Sequence, residues 1–146
     1  MKTNWLAVAA AAIAHFFLGA VWFTGMKGAW LAGTGKTEQE LMQQGSPAMA
    51  YSIAFVCNLL MALVLAKVIA ASGRWSATGG MRVGLVLGVG LAFTAMVTEL
   101  VFEARPASFL LIAGGYPVVG CVLMGAILGA WKPKGGLGTR NQAASG

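Results

Sequence analysis

Thr98-Glu99-Leu100-Val101-Phe102-Glu103-Ala104-Arg105-Pro106 closes a long apolar run and holds two of the chain's four carboxylates. Upstream, Val83 to Val97 carries no charged side chain. Downstream, Phe109 to Trp131 carries none either. Between the two runs stands Arg105-Pro106, and the residue before a proline disfavours helix. The stretch therefore reads as the end of one membrane span and the turn into the next. The rest of the chain follows suit: 58% of its 146 residues are hydrophobic and 10% are charged. A soluble domain carries about 25% charged residues. Ten basic and four acidic side chains cannot coat a water-facing surface on a chain this size, so most of its solvent is lipid.

Working outward, the third span covers residues 83–103 and the fourth 109–131, with Pro117 inside it. Residues 132–146 are Gly-rich, basic and polar, and read as a disordered tail. The short turn from Ser72 to Arg82 precedes the third span. Before it lies the second span, residues 48–71, with Asn58 in its middle and Lys67 placed to snorkel to the headgroups. The first span, residues 5–23, is interrupted only by His15. It follows Lys2 and is Ala-rich, as a cleaved signal peptide is, but Phe16, Phe17, Val21, Trp22 and Phe23 continue it where a polar cleavage region belongs. At 1.5 Å per residue it reaches roughly 28 Å, the depth of a hydrocarbon core. In the long connection that follows, Trp22, Phe23 and Trp30 suit an interfacial aromatic belt. Thr37-Glu38-Gln39-Glu40 predicts a capping box opening a short helix through Gln44. Gly33-Thr34-Gly35-Lys36-Thr37 is a false phosphate-loop signal, because Trp30 stands where that loop needs glycine.

Four spans put both termini on one side. That side carries Lys2, Arg74, Arg82, Lys132, Lys134 and Arg140, and Lys67 leans towards it; the other carries Lys27, Lys36 and Arg105. The positive-inside rule then predicts cytoplasmic termini. Positive charge here follows topology and does not form the basic, aromatic face that binds nucleic acid. Cys57 and Cys121 lie in apolar runs and are expected as buried free thiols. Similar segments at residues 60–66 and 123–129 make a duplicated hairpin conceivable, but the first and third spans do not repeat.

Advancing 100° per residue lines up small and polar residues. Gly84, Gly88, Ala92, Ala95, Glu99 and Glu103 share a sector of the third span. Ala11, His15, Gly19 and Trp22 share one on the first, Ala54, Asn58 and Ala62 on the second, and Gly114, Cys121, Gly125 and Gly129 on the fourth. Small residues four apart let helix backbones approach in lipid, so Gly19, Gly84, Gly88, Gly125 and Gly129 are packing candidates. His15 and Asn58 fall near mid-membrane, and Glu99 about a turn below the outer boundary. With the seams facing inward, Glu99, His15 and Asn58 would form a polar chain. Intramembrane ionisable groups mark functional sites, whereas a neutral His or Asn also serves as interhelical glue. Glu103 and Arg105 belong to the interface, where they can pair. Pro117 leaves the carbonyl of Ala113 without its helical donor and predicts a kink or, beside Gly114 and Gly115, a binding notch.

With one His, no Asp and no closely spaced Cys pair, the chain lacks the ligands of a conventional zinc site. No nucleophile elbow accompanies Glu99 and Glu103, and Gly84-x-x-x-Gly88-x-Gly90 lies inside a span rather than in a dinucleotide-binding turn. No catalytic residue, metal ligand or cofactor is assigned.

Asn4-Trp5-Leu6-Ala7-Val8, Leu18-Gly19-Ala20-Val21-Trp22-Phe23 and Lys27-Gly28-Ala29-Trp30 resemble segments of the domain of unknown function 1761 family. So do Thr37-Glu38-Gln39-Glu40-Leu41, Phe102-Glu103-Ala104-Arg105-Pro106 and Gly125-Ala126-Ile127-Leu128-Gly129-Ala130-Trp131. The resemblance runs in order from about residue 4 to 132, and its most distinctive part is Phe-Glu-x-Arg-Pro. Glu99 stands in about the region where the family often carries Asn. The resemblance implies a small bacterial-type membrane protein with four spans and supplies no mechanism.

The expectation is an all-α, integral membrane four-helix bundle in the bacterial cytoplasmic membrane. Its expected partners are the lipid bilayer and either copies of itself, as a homo-oligomer, or a larger membrane protein, through helix seams left unused inside the bundle. A different class of function remains open: a small transporter or channel component passing protons, ions or small solutes by way of Glu99, His15 and Asn58.

Overall fold

The computed structural model describes residues 3–133. The tail expected at residues 132–146 lies outside the described residues from 134 onward. Four helices are long and apolar enough to cross a membrane, and no strand occurs among the described residues.

Helix α1 (Trp5–Gly25) starts where the Asn4 side chain accepts a hydrogen bond from the Ala7 amide. That bond satisfies one of the donors every helix start leaves open. Two short helices follow. Helix α2 (Lys27–Thr34) stops at Gly35, whose φ of 66° is left-handed backbone that glycine adopts without a steric penalty. Helix α3 (Glu38–Gln43) opens with the capping box that Thr37 and Glu40 predict. The Thr37 amide donates to the Glu40 carboxylate at 2.7 Å and holds its pKa below the ordinary value. Helix α4 (Pro47–Ser72) has proline in its first turn, where the missing N–H is harmless, and ends at left-handed Gly73.

The third span starts at Ala77, ahead of the Val83 expected from apolarity alone. Ser76 caps it by accepting from the Gly79 amide. Its Gly79-Gly80 pair reads as turn in isolation, yet Gly80 is helical and lies against α7. A methyl group on Gly80 would sit 1.9 Å from the Gly125 carbonyl oxygen. The span consists of α5 (Ala77–Leu87), a π-helical segment (Gly88–Phe93) and α6 (Thr94–Phe102). Helix α7 (Ala107–Ala130) completes the bundle with Pro117 inside it.

The bundle is organised on α7, which touches each of the other spans. Its glycine seam faces α5: Gly125 and Gly129 lie against Gly80, Cys121 against Gly84, and Val118 against Gly88. Lipid offers no hydrophobic drive for helices to associate, so close backbone approach of this kind must hold them together. On the other side of α7, Ala7, Val8, Ala11 and Ala12 of α1 join Ala62, Leu65 and Ile69 of α4 around Met124 and Leu128. The outer faces are apolar and exposed, as at Phe17, Leu60 and Val86.

Two readings need correction. Cys57 is exposed on α4 rather than buried; only Cys121 is inside. The face expected to run from Gly84 to Glu103 is also broken. Gly84 and Gly88 are buried, but Ala95, Glu99 and Glu103 are exposed. The π segment is the cause. A π turn adds about one residue to the helical ladder, so each position beyond it turns away by about one residue. Phe93, Met96, Val97 and Leu100 consequently take the inward places that straight α-helix would give to Ala92, Ala95 and Glu99. Phe93 and Val97 lie over Gly114, and Leu100 packs with Phe109 and Ala113. At the end of the segment, the Thr94 hydroxyl donates to the Gly90 carbonyl at 2.8 Å.

Candidate functional site

His15 lies halfway along α1, roughly 15 Å from either helix end. It is 1% exposed, and neither ring nitrogen has a hydrogen-bond partner among the described residues. The imidazole stacks on Tyr116 of α7, with ring centroids 4.7 Å apart and planes at 25°. The Tyr116 hydroxyl donates to the His15 carbonyl at 3.3 Å.

Two glycines make this stack possible, and they are placed reciprocally. Gly19 follows His15 by one helical turn on α1, and Gly120 follows Tyr116 by one turn on α7. A methyl group on Gly19 would stand 2.9 Å from the Tyr116 hydroxyl oxygen, and one on Gly120 would stand 2.1 Å from His15 Nε2. Each helix thus offers a bare patch of backbone to the other's ring. Asn58 of α4 is 6% exposed and lies beside the Tyr116 hydroxyl. Towards the α2 end, Phe23 packs on Tyr116 with centroids 5.2 Å apart. The Trp22 indole donates to the Ile112 carbonyl at 3.0 Å, one residue before the carbonyl that Pro117 deprives of its donor.

The sequence-predicted residues therefore divide into three places. His15 and Asn58 share the core, joined by Tyr116, which the sequence reading passed over. Glu99 is exposed on α6, and its side chain makes no hydrogen bond or ion pair among the described residues. The polar chain of Glu99, His15 and Asn58 does not form, because the π segment turns Glu99 outward. Tyr116 and Gly120 were legible in one respect: aromatic-x-x-x-Gly occurs on α7 at the same spacing as on α1.

Glu103 and Arg105 occupy the third place. The α6 helix ends in a Schellman motif: the Arg105 amide donates to the Leu100 carbonyl and the Ala104 amide to the Val101 carbonyl. Ala104 carries the left-handed conformation at φ 54°, a position that usually takes glycine. This bend aims Arg105 back across the bundle end. Its Nε donates to Glu103 at 3.0 Å, and its Nη1 donates to the carbonyls of Thr34 and Gly33 at 2.8 and 3.2 Å. Those carbonyls close the carboxyl end of α2, where a cation also meets the negative end of the helix dipole. Phe109 lies under the guanidinium at 5.6 Å and packs against Gly33. Arg105 is thus a clamp between α2 and the α6–α7 turn.

The model of the family described as "Protein of unknown function (DUF1761)" matches residues 6–129. The chain belongs to the DUF1761 family. No curated protein and no solved structure matches it. The DUF1761 match takes in the His15–Tyr116 stack and the Arg105 clamp alike. In this DUF1761 chain, Phe-Glu-x-Arg-Pro is a structural device: Glu103 and α2 satisfy the guanidinium, and Pro106 precedes the first turn of α7. Among the described residues no group of three His, Cys, Asp or Glu side chains is placed to hold a metal ion. What the core cluster offers chemically is one imidazole with a donor and an acceptor unpaired among the described residues, stacked in an apolar site on a phenol that lies beside an amide.

Proposed function

We propose that this small integral membrane protein is a non-enzymatic assembly subunit that pairs with a second copy of itself through the outer face of α6. The observation that carries this reading is the exposed stripe Gly90, Thr94, Thr98, with Ala95 and Glu99 beside it. A methyl group on Gly90 would meet nothing within 4 Å among the described residues. The internal glycine seams, at Gly19, Gly84, Gly88, Gly125 and Gly129, are all covered by neighbouring helices. The Gly90 stripe is left over. Small residues at four-residue spacing are what a second membrane helix needs for close approach, and an identical stripe about a twofold axis is self-complementary. Glu99 supports the same reading, because carboxylates within membrane spans almost always face protein or water rather than lipid.

Charge supports placing the termini in the cytoplasm of a bacterial cell. Lys67, Arg74, Arg82 and Lys132 lie at the terminus end of the bundle, and all four carboxylates lie towards the other end. The test of assembly is chemical cross-linking in native membranes with Gly90→Leu. The expected result is loss of the dimer with helicity kept; a dimer that survives the substitution removes the stripe from the interface. Gly88→Leu and Gly125→Leu are unsuitable for this purpose, because they strike the α5–α7 contact inside one chain.

A second reading rests on the unpartnered His15 imidazole: a proton-transfer role across the core in a small transporter. Its test is a pH-driven flux in proteoliposomes that His15→Phe abolishes. A flux equal to that of empty liposomes rejects it.

A further inference from the structure

At the terminus end of the bundle, α1, α4 and α7 enclose a cavity of about 280 Å³. Ala7 and Leu128 form its apolar wall, Trp75 and Trp131 flank it, and Asn4 and Lys67 supply its polar groups. Lys67 lies a turn and a half before the end of α4, so its ammonium reaches the headgroup level beside the cavity mouth. It makes no ion pair among the described residues. None of the four carboxylates could supply one, since Glu38, Glu40, Glu99 and Glu103 all belong to the opposite end.

We propose that this cavity is a binding site for the phosphate headgroup of one anionic phospholipid, with Lys67 as its phosphate ligand. The walls favour an amphiphile over a free anion. Below Lys67 on the same side of α4 run Val64, Leu60 and Val56, each more than half exposed. They form an apolar track on which an acyl chain leaves the pocket towards mid-membrane. The two indoles suit the headgroup boundary, where aromatic rings with a polar edge accumulate. Net charge favours an anionic lipid over a zwitterionic one, because Arg74 adjoins Trp75 and Lys132 adjoins Trp131 at the cavity rim, with no acidic side chain at this end. The chain's own segment 134–146 is a poor occupant: it adds Lys134 and Arg140 and no acidic side chain to an already cationic rim.

The test is native mass spectrometry of the full chain released from micelles doped with phosphatidylglycerol or phosphatidylcholine. The expected result is one phosphatidylglycerol retained per chain, about fivefold in preference to phosphatidylcholine, the scale of one surface cation acting on an anionic lipid. Lys67→Gln and the cavity-filling Ala70→Phe lower retention about as much, while Arg82→Gln, outside the cavity, leaves it. Excess inorganic phosphate does not displace the lipid. Circular dichroism checks that each variant keeps its helices, and Lys67→Gln alone decides the matter if Ala70→Phe does not fold. Equal retention of the two lipids, equal losses for Lys67→Gln and Arg82→Gln, or displacement by phosphate would each overturn the proposal.

Discussion

His15 and Tyr116 show how a polar pair is held where water is absent. The rings are stacked, each lies on the other helix's glycine, and both imidazole nitrogens lack partners. A buried polar atom left unpaired costs about 1–3 kcal/mol, so packing at this point has to offset it. Gly120→Ala should therefore destabilise the bundle by about 1–3 kcal/mol, because the imidazole cannot retreat into close-packed surroundings. In a His15→Ala background the same change should cost much less. Unfolding in mixed micelles measures both; strictly additive effects would mean the two positions do not touch. At the bundle end, Ala104→Gly should stabilise by about 1 kcal/mol, since it relieves a left-handed alanine. Arg105→Ala should speed hydrogen exchange of the Leu31 to Gly35 amides while leaving α7 protected. Unchanged exchange there would show that α2 docks without the clamp.

Among the elements, the third span teaches most about what a sequence discloses. Its apolarity is plain from Val83 to Val97, and Arg105-Pro106 marks its end. Its face cannot be read the same way, because a 100° advance per residue assumes an unbroken α-helix. Gly88 and Gly90 allow the π segment, and the fit of Phe93 over Gly114 rewards it, but that fit is a tertiary contact with no local signature. One added residue in the ladder was enough to exchange Glu99 for Leu100. The same limit hid the helical state of Gly79 and Gly80: their turn-like composition is overridden by the need for bare backbone opposite Gly125 and Gly129. The α1 seam was legible because α1 is regular throughout. A cysteine scan checks the register directly. In monomer dispersed in detergent, cysteine at position 99 should react with a maleimide, and cysteine at position 100 should resist it. Deleting Leu91 should restore α-helical register, turn Glu99 inward and abolish folding; a stable deletion variant would contradict the role given to the π segment.

As a whole molecule, the bundle is polar along its axis and uneven around it. Lys67, Arg74, Arg82 and Lys132 lie at the terminus end and all four carboxylates at the other, the asymmetry on which the proposed orientation rests. Around the axis, α7 is the most buried span, while the π segment presents Gly90 and α6 presents Thr94, Thr98 and Glu99 outward, uncovered by any neighbour among the described residues. We propose that two chains pair on this face. Disulfide cross-linking in native membranes tests it most directly, with Cys57→Ala and Cys121→Ala as background and single cysteines at positions 94, 98, 56 and 60. Oxidised dimers are expected from positions 94 and 98, and monomers from positions 56 and 60, which lie on the exposed apolar face of α4. Monomers from 94 and 98, or equal dimer from all four positions, would contradict it.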